Sequence, residues 1–210
     1  MEKEAGAVGP EEIERASLDI VRKELVIRGF QVPAEVLPVV ARVIHATADF
    51  DFAETLTFSP QAVQAGREAL ARGAAVVTDT QMAAAGVNKK HITQNGGAVL
   101  CYMADEDVAL EAHRRGVTRA AVSMECAAAE APEAVFAVGN APTALLRLCQ
   151  LAAEGKVSPA LVIGVPVGFV NVVESKEALM KIDSFPWIAS RGHKGGSSVA
   201  AAVINALLRI

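Results

Sequence analysis

A chain of 210 residues suits one domain with a large buried core and argues against a second independent one. The net charge of −4, with basic residues scattered and few aromatics among them, excludes general nucleic-acid binding. The most continuous apolar segment, residues 159–173, is broken by Gly164, Pro166, Gly168 and Asn171, so no membrane-spanning helix is implied.

The composition is 52% hydrophobic but only 4% aromatic. The mean hydropathy of +0.32 therefore comes from Ala, Val, Ile and Leu, as expected of a sheet between helices. The first residues, Met1-Glu2-Lys3-Glu4-Ala5-Gly6, lack the basic region and apolar core of a secretory signal. A cytoplasmic location is expected, with residues 1–10 as a mobile tail. Cys101, Cys126 and Cys149 are widely spaced in apolar surroundings, which suits reduced core thiols and gives zinc no support.

In chain order, residues 11–28 read as an amphipathic helix stopped by Gly29, with Ser17 inside it, either tolerated surface or a hydrogen-bond donor to a ligand. Residues 33–46 form a second helix whose apolar side is Val36, Leu37, Val39, Val40, Val43 and Ile44. Arg42 and His45 lie three residues apart on its other face, a fixed cation beside a titratable imidazole. That pair can bind an anion and move a proton, or it can be a surface cation and a capping histidine. Residues 49–58 read as a loop and a short extended piece, and Ser59-Pro60 as the cap and first turn of a helix ending near Gly73.

From there short apolar runs alternate with helical stretches. Residues 74–77, 98–101, 135–138, 161–165 and 187–189 are expected as about five buried strands. Residues 80–86, 106–115, 119–129, 141–154, 174–181 and 197–209 are the helices between and after them. The pattern predicts an α/β domain: one doubly wound, mostly parallel sheet, helices on both faces, and an N-terminal helical segment. Ligands of such sheets bind beyond the carboxyl ends of the strands.

Those ends are rich in loops that suit negative oxygen atoms. Asp79 follows the first strand and is read as a helix cap, or else a ligand contact. Gly139-Asn140-Ala141-Pro142-Thr143 offers close backbone approach, free amides and a helix dipole for an anion such as a carboxylate. The loop containing Gly168, and Arg191-Gly192-His193-Lys194-Gly195-Gly196-Ser197, add glycines and two cations. No Gly-x-Gly-x-x-Gly follows a strand, and 191–198 lacks the spacing of a phosphate loop. The pattern fits a ligand with carboxylates spread around its rim.

Taken together, Ser17, Arg42-Val43-Ile44-His45, Asp79 to Met82 with Gly86-Val87, Gly139 to Leu145, Pro166 to Val170 with Glu174-Ser175-Lys176, and Arg191-Gly192 with Lys194 to Ser197 resemble the precorrin-8X and cobalt-precorrin-8 methylmutases of corrin biosynthesis. The matches run in the same order from residue 17 to residue 205; the acidic tail, residues 105–133 and His193 fit least. The resemblance implies an isomerase that moves a methyl group from C-11 to C-12 of a corrin precursor, giving hydrogenobyrinic or cobyrinic acid. It implies His45 as the acid/base residue and Ser17 and Arg42 as substrate contacts. Asn140, Thr143, Gly168, Arg191 and Lys194 join them as candidate substrate-binding residues. It also implies a homodimer, a corrinoid small-molecule substrate, no metal site and no cofactor, any cobalt being carried by the substrate. Two rivals remain at this level, a nucleotide-dependent transferase and a non-catalytic corrinoid carrier. Spectral titration with a corrin precursor separates the first, and a His45 substitution the second.

Overall fold

The strands expected from the apolar runs are all present in the computed structural model, which describes residues 9–210; the tail expected over 1–10 lies outside these up to residue 8. They are β2 (Val76–Thr78), β3 (Val99–Leu100), β4 (Val135–Val138), β5 (Leu161–Gly164) and β6 (Trp187–Ser190). A sixth strand, β1 (Leu56–Phe58), forms from the short extended piece. Three residues are too few to display a period, and it becomes a strand by pairing antiparallel with β6 at the sheet edge. The sheet order is β1-β6-β5-β4-β2-β3, parallel everywhere except at β1.

The helices are α1 (Pro10–Ile27), α2 (Leu37–Thr47), α3 (Phe52–Thr55), α4 (Ala62–Ala71), α5 (Gln81–Gly86), α6 (Lys89–Gln94), α7 (Glu106–Arg115), α8 (Arg119–Glu130), α9 (Pro142–Ala153), α10 (Val172–Met180) and α11 (Ser197–Leu207). They cover both faces because the strands are apolar on both. Val135, Ala137, Leu161 and Ile163 face the core shared with α1, α2, α4 and α11, while Phe136, Val138 and Val162 face the one shared with α8, α9 and α10. α11 is buried almost all round, and its Ala and Val side chains let it lie close to α2, α5 and the sheet.

Three local expectations change. Residues 33–36 form a turn, with Val36 N donating to Pro33 O at 3.1 Å, so α2 begins at Leu37. Ser59 does not cap α4, which starts at Ala62 behind a left-handed Gln61; its Oγ accepts from Trp187 N at 2.8 Å and ties β1 to β6. Asp79 does not cap α5, because Thr80 Oγ1 takes that place by accepting from Ala83 N at 3.0 Å.

Candidate functional site at the carboxyl edge of the sheet

α1 and α2 meet through two polar contacts of identical offset. Ser17 Oγ and His45 Nδ1 are 2.8 Å apart and 28 residues apart in the chain, and Glu14 pairs with Arg42 across the same 28 residues. The contact therefore climbs one turn of both helices together, and Arg42 and His45 share a face as the spacing predicts. Glu14 also pairs with Arg209, beyond the end of α11. The guanidinium of Arg209 first, and that of Arg42 second, hold the Glu14 carboxyl down at about 2. Arg42 is thus not a free outward cation: its side chain is 14% exposed, and one edge is already committed to Glu14.

His45 stands in the last turn of α2 and is exposed, with its Nε2 unengaged among the described residues. A serine hydroxyl donating to Nδ1 fixes the neutral ring with its proton on Nε2, and an imidazolium donating to Ser17 carries a proton there as well. In both arrangements Nε2–H is a donor aimed away from α1, whereas a neutral ring that donates from Nδ1 to Ser17 leaves Nε2 there as an acceptor. Beyond His45 the helix closes at Ala48 in the left-handed conformation, and Asp49 and Asp51 follow.

These aspartates join the helix to the end of β6. Lys194 Nζ donates to Asp49 Oδ2 and to Asp51 Oδ2, both at 2.6 Å, so its ammonium is engaged internally. The two carboxylates raise the Lys194 pKa, and Lys194 in turn lowers that of Asp49. Arg191, three residues before, is exposed and makes no side-chain hydrogen bond or ion pair among the described residues. Gly168 is drawn to the same loop: its N donates to His193 O at 3.2 Å, and its carbonyl meets His193 Nδ1 at 2.8 Å. A Cβ on Gly195 would lie 2.1 Å from Val165 O, so only glycine admits this apposition.

The order of the sheet reverses between β2 and β4, where doubly wound folds usually open a ligand crevice. Here Asp79, fully buried, fills it. Its Oδ1 accepts from Gly139 N at 2.9 Å, and its Oδ2 accepts from Asn140 N at 2.8 Å and Ala141 N at 2.7 Å. The amides expected to be free for a ligand carboxylate are satisfied by one of the protein's own. Burial outweighs those three bonds and raises the Asp79 carboxyl. Asn140 keeps an exposed side chain, and Thr143 shares a 2.9 Å hydroxyl contact with Thr118.

Ser17, Arg42 and His45 therefore form one cluster. Gly168, Arg191 and Lys194 form a second, joined to it through Asp49, and Asn140 and Thr143 lie at the neighbouring strand end. Sequence reasoning missed Glu14 and left Lys176 without a function. Lys176, on α10, is 1% exposed, and its Nζ donates to Gly192 O and Lys194 O at 2.8 Å each. Both had a signal: Glu14 continues the α1 stripe of Leu18, Val21 and Leu25, and Lys176 lies among the buried α10 positions Val172, Ser175 and Leu179. Two concavities, of about 700 and 660 Å³, lie elsewhere and include none of these residues. Among the described residues no group of three or more His, Cys, Asp or Glu is placed to hold a metal, and no helix is long and apolar enough to cross a membrane.

The family description precorrin-8X methylmutase matches residues 12–210. A cobalt-precorrin-8 methylmutase of Priestia megaterium is 46% identical over 200 residues, 95% of this chain and 88% of that protein. A precorrin-8X methylmutase of Pseudomonas aeruginosa is 41% identical over 197 residues, 93% of each. The crystal structure of precorrin-8X methylmutase from Thermus thermophilus superposes with a TM-score of 0.87 at 40% identity, covering 95% of each chain.

Proposed function

The chain belongs to the precorrin-8X methylmutase family and is an isomerase of cobalamin biosynthesis, and from that premise we propose that His45 is its acid/base residue. The reaction moves a methyl group from C-11 to C-12 of precorrin-8X or its cobalt form. One carbon–carbon bond breaks as the other forms, and the conjugated double bonds shift to compensate. Atoms and electrons balance within the substrate, so the step calls for no nucleophile or redox cofactor. What it needs is a held macrocycle and a donor that polarises the ring system while the methyl migrates.

The observation that carries this reading is the 2.8 Å contact of Ser17 with His45 Nδ1, which leaves Nε2 directed outward from the end of α2. Ser17 sets the ring's orientation, and Nε2 hydrogen-bonds to, or protonates, the macrocycle. Arg42, kept in place by Glu14, retains N–H donors for a peripheral carboxylate, and Arg191 supplies a second cation from the end of β6. Asn140, Thr143, Gly168 and Lys194 complete the rim in this reading, Lys194 mainly by joining its loop to Asp49. The domain works as a homodimer: Ile13, Ile20 and Ile27 recur every seven residues on α1 and are 58%, 61% and 75% exposed, an apolar stripe suited to a second copy. Incubating the protein with precorrin-8X and with cobalt-precorrin-8 and following the visible spectrum tests the assignment. Wild type should convert at least one, and His45→Ala should bind it yet leave its spectrum unchanged over the same time. Near-normal single-turnover conversion by His45→Ala rejects His45 as the acid.

A further inference from the structure

The loop from β6 to α11 is held from outside and from beneath. Outside, Gly168 and His193 exchange two hydrogen bonds, and Gly196 N donates to Val165 O at 2.9 Å. Beneath it, the Lys176 stem rises through the core of α10 and its Nζ reaches the carbonyls of Gly192 and Lys194. The Lys194 carbonyl also accepts from the fully buried Ser190 Oγ at 2.8 Å. Gly192 and Gly196 have φ of +72° and +131°, so the loop's own sequence does little to fix its path.

We propose that Lys176, in its ammonium form, is a positioning residue that holds loop 191–196 in its substrate-receiving conformation. The inference rests on the reading above of that loop as a substrate contact. An ammonium has three donors and no acceptor, so a buried one draws carbonyls inward. Here it draws in two carbonyls of one short loop, and the side chains of Arg191, His193 and Lys194 are left exposed. Loss of this point would leave the glycine-rich segment after Arg191 with Ser190 Oγ as its one remaining hold from beneath and its rim contacts outside.

Burial alone pushes Lys176 down to about 8. The ionisable groups on the elements packed against it are turned elsewhere. Lys194 holds Asp49 and Asp51, His193 meets Gly168, and Arg147 on α9 pairs with Glu125 and Glu154. Arg191 on the loop, and Glu174, Glu177 and Lys181 on or beside its own helix, make no hydrogen bond or ion pair with it. The loop's anchor thus loses its charge in mildly alkaline solution, where the remaining amine binds carbonyls more weakly.

The test is spectral titration of the full chain with hydrogenobyrinic acid from pH 7 to 9.5, using wild type, Lys176→Met and Arg191→Ala. At pH 7, Lys176→Met should raise Kd about tenfold or more, the loss expected for two charge-assisted bonds. It should also speed amide exchange across 192–196. Wild-type Kd should climb toward the variant's value with a midpoint near 8, while the variant's stays flat. Wild-type affinity that is flat through pH 8, or unchanged affinity in Lys176→Met, overturns the proposal. If Lys176→Met does not fold, the wild-type pH profile alone decides. Arg191→Ala separates the two readings: wild-type affinity in that variant removes the loop from the substrate site altogether. Weakened Arg191→Ala beside unaffected Lys176→Met rejects the positioning role alone.

Discussion

Replacing Glu14 by Gln is expected to unfasten the first half of α1 from the histidine it helps to place. The apolar hold on this helix is concentrated later, at Leu18, Val21 and Leu25, so near residue 14 the Arg42 and Arg209 pairs carry the docking. Lowering a carboxyl from 4.5 to about 2 corresponds to about 3 kcal/mol of preference for the charged form. The Glu14 side chain is 26% exposed, and solvent screening reduces the usable part to about 1–2 kcal/mol. For a domain of this size that is a fall in Tm of about 2–8 °C at pH 7. The pH dependence has a definite sign. The folded value lies below the unfolded one, so the stabilisation is complete above 4.5 and drains away as pH falls toward about 2. Thermal melts of wild type and Glu14→Gln should therefore differ at pH 7, with the gap shrinking below 4.5 and closing as pH approaches about 2. Equal melting at pH 7, or a gap that persists undiminished at pH 2.5, would refute the clamp. Turnover should drop with stability, because the same half-helix carries Ser17.

Four further outcomes are expected. His45→Ala and His45→Asn should each lose about 100- to 10,000-fold in single-turnover rate while substrate binding persists, since an amide can hydrogen-bond but cannot deliver a proton. Asp79→Asn should cost about 2 kcal/mol or more in urea unfolding, because its amide group would face backbone donors now satisfied by a carboxylate; unchanged unfolding would mean those amides find other acceptors. Gly195→Ala should disrupt the β5 and β6 loops, its Cβ falling 2.1 Å from Val165 O, and intact affinity for the product would contradict the close apposition. Wild type should sediment as a dimer and Ile20→Glu as a monomer, whereas a dimeric Ile20→Glu protein would move the interface off α1.

The sheet was legible because its central strands are apolar on both faces, so continuous runs such as 135–138 and 161–165 announced β4 and β5. β1 was legible only as a short extended piece, since three residues become a sheet strand through a partner that lies far away in sequence. α3 escaped by its length, a single turn of four residues. At the site, the i, i+3 spacing of Arg42 and His45 placed both on one face. Nothing local named their partners, because Ser17 and Glu14 reach them only through the packing of α1 on α2. The glycine-rich strand ends correctly marked close backbone approach, but whether their amides stay free depends on a carboxylate 60 residues earlier. Asp79 and Lys176 were each visible as letters and invisible as buried groups bonded to the backbone.

Those two buried side chains bear on which ligands the carboxyl edge can take. A dinucleotide or triphosphate is normally received by unoccupied amides at a helix start, and the crevice between β2 and β4 is where such amides would be offered. Asp79 consumes them, so an incoming anion would find no free donor there. Lys176 does the converse beneath β6, drawing carbonyls inward so that exposed side chains face the edge. The cations left for an anionic ligand, Arg42 and Arg191, stand on separate elements, with His45 beside the first. Guanidinium groups held apart suit carboxylates spread around a broad, flat molecule better than phosphates joined in a row. In the reading proposed above, the edge so arranged suits a polycarboxylated macrocycle, with His45 on the same helix as Arg42, one of its proposed anchoring points.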